Sequence, residues 1–270
     1  IALCMISFML LSCFSYPSFE VATTKGEDIE LISSTDKGLT FMINVDWRGL
    51  STEILYTKNG MFTEVLLPGW QNSNQPGKPR LPFLTQAFGV PYGAELAINV
   101  IPGKSHTITL PAPVLPSISQ ISSQNLPSDD PGVMLFDYAI EPDALTYGQD
   151  QPYPGKLAEI TNDGTLRQQR IASLGISPVQ YEPLTQSLRI YESFVIEVLF
   201  EGNPAEYIAV ADVESDIYES LFESQLANYQ QAKRWRANSE VRAQFTNKDT
   251  EQITGQTPTA ITWLPPDPGW

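Results

Sequence analysis

Two cysteines and one histidine are all that this chain offers for thiol or imidazole chemistry. Cys4 and Cys13 both lie in the apolar opening run IALCMISFMLLSCFSYPS, and His106 lies far beyond it in the alternating stretch HTITL. A Cys–His pair needs both groups in one folded site. Past Cys13 the chain has no thiolate nucleophile, no disulfide and no cysteine metal site to contribute. A Ser–His–Asp triad would have to use His106, and no serine stands in a G-x-S-x-G elbow. Phosphate-loop, dinucleotide and H-E-x-x-H patterns are absent too. The 31 acidic residues supply many accidental carboxylate pairs and single out none. Asp129-Asp130 and Asp163 are acidic enough for calcium, but their spacing fits no known ligand loop. His106 reads as a surface residue of a strand. The expectation is no catalytic residue, no cofactor and no metal.

Elements must therefore be positioning something other than an active site. The most patterned run is ISPVQYEPLTQSLRIYESFVIEVLFEG, residues 176–202. Pro178 and Pro183 bracket Gln180 and Tyr181, a polar reversal follows at 184–187, and alternation starts at Leu188. Phe194, Ile196, Val198 and Phe200 then share one face of an extended segment, with Glu197 and Glu201 on the other. Short runs of the same kind recur at 38–45, 63–70, 95–103 and 106–110. Asn59-Gly60 and Asp163-Gly164 are hairpin dipeptides, because both residue types favour positive φ. These features predict an all-β chain: an antiparallel β-sandwich or jelly roll with one C-terminal α-helix and an extended tail. The helix is expected over about 215–236, where Ile217, Leu221, Phe222, Leu226, Tyr229 and Ala232 recur at helical spacing. Ser215 or Asp216 would cap it, and Lys233, Arg234 and Arg236 would suit its dipole. Residues 111–155 break the rhythm with eight of the chain's 22 prolines. So long an irregular connection is read as a segment that reaches onto a partner or as a plain surface excursion.

With 270 residues, 42% hydrophobic and 17% charged, the chain can bury a sizeable core. A formal charge of −15 argues against nucleic acid, which demands a basic footprint, and against an anionic membrane surface. The opening run, residues 1–15, is read as a truncated export signal, because its basic start is missing. Leu10-Leu11-Ser12-Cys13 resembles a lipoprotein box that would leave Cys13 as a lipid anchor. Ordinary signal-peptidase cleavage near Ser15 is the competing reading and the one favoured, and a buried strand is the third. Export implies a secreted or cell-surface protein. The tail, residues 237–270, ends in TWLPPDPGW and reads as a linker.

Three stretches together resemble the propeptides of gingipain-like, caspase-fold cysteine peptidases. GKPRLPFLTQAFGVPYGAE is similar to that family's G-x-P-x-L-P segment and following Pro-x-Gly turn, through Gly77, Pro79, Leu81, Pro82, Pro91 and Gly93. ISPVQYEPLTQSLRIYESFVIEVLF resembles its P-V-Q-Y-N-P strand pair, through Pro178, Gln180, Tyr181, Pro183, Leu188 and Tyr191, with Glu182 where Asn is common. ESLFESQLANYQQAKRWR resembles its closing helix, with Asn228 and Tyr229 matching. The resemblance spans residues 19–236 and implies a non-catalytic β-sandwich that keeps a following peptidase latent during export and assists its folding. The partner it implies is a cognate caspase-like peptidase domain of the same precursor, lying after Trp270. If that enzyme prefers basic side chains, Arg80, Arg167 or Arg170 would occupy its pocket. Arg234, Arg236 and Arg242 are the candidates for the processing cut, since exposed chain after a helix is where cleavage concentrates. Two rival readings remain: a cell-surface adhesin or glycan-binding module using Trp47, Trp70 and Tyr92, and a stand-alone protease inhibitor.

Overall fold

The structure, a computed structural model, describes residues 28–118, 140–202 and 216–236. Thirteen strands follow one another through the described chain. The patterned run supplies β13 (Ser193–Gly202), whose Phe194, Ile196, Val198 and Phe200 are buried, as the alternation predicts. It sits inside an antiparallel sheet ordered β1 (Ile29–Thr35), β2 (Gly38–Asn44), β13, β7 (Ala94–Pro102). A second sheet runs β5 (Gln71–Asn72), β6 (Pro82–Gly89), β10 (Gln169–Ile176), β9 (Ala158–Leu166). Leu39, Phe41, Ile43 and the β13 residues share one core with Phe88, Ala172, Leu174 and Ile176 of the second sheet. Two sheets packed through their inner faces make a sandwich. Phe41 and Phe88 meet across it with ring centroids 6.4 Å apart.

A smaller core lies to one side. The sheet of β11 (Val179–Glu182), β12 (Ser187–Tyr191) and β8 (Ser105–Thr109) packs Val179, Tyr181, Leu188 and Ile190 against Val65, Leu81, Leu110 and Val114. Val65 belongs to the hairpin of β3 (Ser51–Thr57) and β4 (Gly60–Leu66). That hairpin and the β1–β2 hairpin use the same turn chemistry. Thr35 and Thr57 each accept from the amide two residues on, at Lys37 and Asn59, and donate to the carbonyl of a glycine, Gly38 and Gly60.

Two local expectations are corrected. The reversal expected at Asp163-Gly164 falls three residues later: both lie inside β9, paired with Ala172 and Ile171, and Arg167 (φ 54) makes the turn. Asp163 is held in the strand by Arg170, whose guanidinium takes both carboxylate oxygens at 3.0 and 2.7 Å. The single helix expected over 215–236 is broken. It becomes α2 (Asp216–Gln225), a turn at 226–228, α3 (Tyr229–Ala232) and a 3-10 turn Lys233–Trp235. Its inward line is Tyr218, Phe222 and Leu226, while Ile217 and Leu221 face outward.

The break has a structural cause. Strand β5 covers only Pro82 and Phe83 of β6, leaving the far end of that strand without a neighbour on one side. Residues 226–228 take the place. Ala227 donates to the Ala87 carbonyl, and the Asn228 side chain accepts from the Gly89 amide at 2.7 Å and donates to its carbonyl at 3.0 Å. One side-chain amide thus completes a β-ladder, a demand that 3.6-residue periodicity cannot reveal. Gly89 is required there, since a Cβ would stand 2.2 Å from that of Ala232. Removing the Asn228 amide in Asn228→Ala leaves two buried backbone groups unpaired and costs about 2–4 kcal/mol. Urea denaturation monitored by tryptophan fluorescence measures it, and an unchanged midpoint would refute this account of the break.

Candidate functional site

The site is assembled on the stretch Gly77–Pro82. Gly77 adopts φ +75, a conformation that side chains disfavour, and it is buried. Its amide donates to the Ser117 carbonyl at 2.9 Å, and its carbonyl accepts from the Asp143 amide at 2.9 Å. Residues 117 and 143 flank the 119–139 segment on its two sides, and that segment lies outside the described residues. One residue therefore joins both stems, through the two peptide groups that flank its Cα.

Neighbouring residues repeat the pattern. On the first stem, Ser117 donates to the Lys78 carbonyl and Arg80 to the Leu115 carbonyl, both at 2.8 Å. Thr63 of β4 closes the other side, donating to the Pro113 carbonyl at 2.7 Å and accepting from the Leu115 amide at 2.8 Å. On the second stem, Lys78 Nζ lies 2.6 Å from Asp143 Oδ2 and 2.7 Å from Thr146 Oγ1. Asp143 also caps the short helix α1 (Ala144–Gly148) by accepting from the Thr146 amide. These donors, led by Lys78, hold the Asp143 carboxyl at a pKa of about 2. Tyr147 of α1 ties the stems directly, its hydroxyl donating to the Val114 carbonyl at 2.7 Å. Burial drives the Tyr147 phenol far above its ordinary value, so it stays a donor.

The second family stretch anchors the outgoing chain. Gln180 is buried, accepts from the Gly155 amide at 2.8 Å and donates to the carbonyls of Lys156 and Ser177. Tyr181 exchanges two 2.8 Å backbone bonds with Tyr153. The irregular connection expected over 111–155 is thus pinned wherever it is described. Leu81 and Leu188 are buried beneath it, Pro79 pairs with Pro116, and Pro82 opens β6. Pro178 and Pro183 accept from the amides of Tyr191 and Gln186, which close the β11–β12 unit. Tyr191 packs on Phe194 at 6.3 Å.

The other candidates are placed as follows. Arg170, besides gripping Asp163, donates to the carbonyls of Pro91 and Ala94 and so fixes the Pro91-Tyr92-Gly93 turn. Its guanidinium is fully engaged within the fold and has no reach for a partner's pocket. Arg167 lies over the Tyr218 ring at 4.0 Å. Arg80 pairs with Glu64 at 3.1 Å beside the first stem. Arg236 is buried, pairs with Glu219, lies over Phe222 at 5.3 Å and reaches Gln169 at 3.4 Å. Arg236 also keeps the Glu219 carboxyl below its usual range, helped by the Tyr229 hydroxyl. A processing cut after Arg236 therefore meets a locked residue, whereas Arg234 is exposed. Arg242, Cys13, the export-signal reading, Asp129-Asp130 and the 237–270 linker lie outside the described residues.

His106 lies in strand β8 as expected, half-buried and with ring face and edge both engaged by neighbours. It stacks on Trp47 at 3.8 Å, and its Nε2 is 2.9 Å from a Glu192 carboxylate that also takes Lys104. The hydrogen bonds from His106 and then Lys104 hold the Glu192 carboxyl below its usual range. Trp70 and Tyr92 are buried, so the three aromatics proposed as a glycan platform do not form one. No group of three or more metal-ligating side chains occurs among the described residues. Sequence reasoning missed Lys78, Asp143, Thr63 and Tyr147. Apart from the local Asp143–Thr146 cap, their partners are distant in sequence, and no local pattern announces them.

Relatives share this frame. The Propeptide_C25 family model matches residues 21–235. Lys-gingipain HG66 of Porphyromonas gingivalis is 30% identical over 176 residues, which are 62% of this chain and 9% of that protein. Gingipain R2 of the same species (strain ATCC BAA-308 / W83) is 26% identical over 192 residues, 70% of this chain and 24% of that protein. The chain thus spans a quarter or less of the length of these relatives. Among solved structures, the complex of Porphyromonas gingivalis RgpB pro- and mature domains superposes with a TM-score of 0.60 at 21% identity, over 76% of this chain and 98% of that one. A structure described as showing the zymogenic latency of gingipain K, from the same species, matches with a TM-score of 0.52 at 24% identity, over 67% of this chain and 98% of that one. These two establish the likeness of fold. With a family match from residue 21 to residue 235 that takes in the stem clamp, the Gln180 anchor and the Asn228 closure, the chain belongs to the Propeptide_C25 family of gingipain-type propeptides.

Proposed function

We propose that this chain is the inhibitory and folding-assisting prodomain of an exported gingipain-like cysteine endopeptidase precursor, acting on the peptidase domain of its own polypeptide. The observation that carries this reading is the stem clamp: Gly77, Lys78 and Arg80 bond one or both sides of the 119–139 excursion to a rigid double-core frame. A pre-organised inhibitor binds with less ordering cost, and linkage in one chain raises its effective concentration. Latency by occlusion follows, with the prodomain laid over the active site. Of the three arginines weighed for the specificity pocket, Arg80 stands nearest the stems and is the one this reading retains. Release takes place by cleavage at Arg242, beyond the Arg236–Glu219 pair, because a cut at the exposed Arg234 would separate Arg236 from the rest of the fold.

The reading frame beyond Trp270 tests the proposal first. A caspase-like domain encoded there, produced separately, is expected to be inhibited stoichiometrically by this chain. A frame without such a domain, or a peptidase left fully active, overturns the reading. Gly77→Ala strains a positive-φ position and sets a Cβ 3.1 Å from the Glu141 carbonyl. It is expected to cost about 1–2 kcal/mol of stability and to weaken inhibition by a larger factor than a core substitution of equal cost.

The Asp143 clamp also fixes a pH dependence. Its carboxyl is more acidic folded, at about 2, than its ordinary 3.8. Its stabilisation is therefore complete above the ordinary value and disappears as pH falls through the folded one. The urea midpoint of the wild type is expected to exceed that of Asp143→Asn by a constant margin at neutral pH. That margin should shrink between about pH 4 and pH 2. A margin that shrank near pH 6 would point to another group.

A further inference from the structure

We infer that the Arg234–Trp235 peptide bond is a guarded second cleavage site, at which an arginine-specific endopeptidase disables the freed prodomain. The disabling role rests on the prodomain reading above, whereas the guard is a property of the fold alone. Arg234 is exposed and lies in the 3-10 turn Lys233–Trp235. The two residues that follow it are buried, Trp235 at 6% and Arg236 at 8% exposure. An arginine is thus offered to solvent immediately before two anchors.

The anchors grip different elements. Trp235 meets Phe200 of β13 edge-to-face, with ring centroids 5.5 Å apart, and belongs to the sandwich core. Arg236 pairs with both oxygens of Glu219 in α2, and its guanidinium lies 5.3 Å over Phe222. The Tyr229 hydroxyl donates to Glu219 Oε2 at 2.5 Å and fixes that carboxylate from α3. Gln169, fully buried in β10, accepts from Arg236 Nε at 3.4 Å.

A turn whose next two side chains are buried must open before a peptidase can seat it. Cleavage therefore tracks the population of the opened state, which the Glu219–Arg236 pair and the Trp235–Phe200 contact keep low. Hydrolysis breaks the C–N bond between Arg234 and Trp235. Water gives its hydroxyl to the Arg234 carbonyl carbon and a proton to the Trp235 nitrogen. Trp235 and Arg236 then belong to the far fragment. Neither residue takes part in a strand or an isolated bridge, so no β-ladder holds them in place. Exposed arginines elsewhere differ. Arg167 joins β9 to β10 and Arg189 lies in β12, so a nick at either leaves both flanks paired.

The role follows from what the first cut leaves undone. Cleavage at Arg242 leaves a folded inhibitor that rebinds by mass action. A cut at Arg234, slower because it waits for the turn to open, strips Trp235 from the core and leaves Glu219 and Gln169 without Arg236.

The full chain is treated with an arginine-specific endopeptidase, and fragments ending at Arg234 are timed by mass spectrometry. The bond should be cut about tenfold or more slowly than in a peptide of residues 229–240. Glu219→Gln should speed the cut in the full chain about tenfold or more. Tyr229→Phe, which spares the ion pair, should speed it less, and circular dichroism checks that both variants fold. Equal rates in peptide and chain, or a rate that neither variant changes, overturn the guard. Arg234→Lys keeps the charge and removes the arginine-specific site. After the same treatment, wild type and Arg234→Lys are assayed against the peptidase domain encoded beyond Trp270. Treated wild type should lose its inhibition while treated Arg234→Lys keeps it. Equal inhibition by the two overturns the disabling role and leaves the prodomain reading intact. Untreated wild type that does not inhibit overturns the prodomain reading and the disabling role with it, while the cleavage rates still judge the guard.

Discussion

A single residue holds the two stems together. The amide of Gly77 bonds one stem and its carbonyl bonds the other, so both stems are tied to one point of the frame. That residue sits at positive φ, a conformation that favours glycine. Lys78 then adds a charge-assisted bond to Asp143, and Arg80 and Thr63 fasten the first stem from both sides. Bonding both stems to one frame during folding fixes their ends, so that part of the ordering cost would not recur on binding a partner.

The frame's rigidity rests on buried side-chain amides as much as on its apolar cores. Gln180 bonds three backbone groups around the outgoing chain at residues 155–177, and Asn228 completes the open end of β6. An apolar substitute at either position would leave unpaired backbone groups in a dry environment. Hydrophobic burial fixes which faces pack, and these amides fix how irregular segments attach to them. The two roles are separable: the sandwich core contains Phe41, Phe88 and Phe194, while the amides act at its margins.

Period-two alternation was enough to predict β2, β13 and the half-buried sheets, because each strand has one face inward and one outward. Hairpin dipeptides were less dependable. Asn59-Gly60 does close a hairpin, whereas Asp163-Gly164 is pulled into β9 by Arg170, a partner seven residues away on the opposite strand. The closing helix shows the same limit: its periodicity is genuine as far as Gln225, and then the vacant edge of β6 overrides it. The candidate site was legible only as family motif. Gly77 and Gln180 carry no local signal of what they bind, since their partners, Ser177 apart, stand 24 to 66 residues away along the chain.

Charged groups divide by the same logic into those that build and those that remain available. Arg170 and Arg236 reach inward, each joining elements distant in sequence, and each is more deeply covered than Arg80. Burial of a guanidinium is tolerable only when carboxylate and carbonyl acceptors meet it, as Asp163, Pro91 and Ala94 do for Arg170 and Glu219 and Gln169 do for Arg236. Such residues cannot be lent to a partner without unpairing the acceptors they satisfy. A basic side chain offered to another protein must therefore come from the exposed set, and an accessible cleavage point must lie where the chain has left the Glu219 lock. Because that lock secures residue 236 to α2 and β10, a cut beyond it leaves the sandwich and the clamp as they were. Under the proposed prodomain role, release would then depend on separating two folded bodies, not on unfolding one of them.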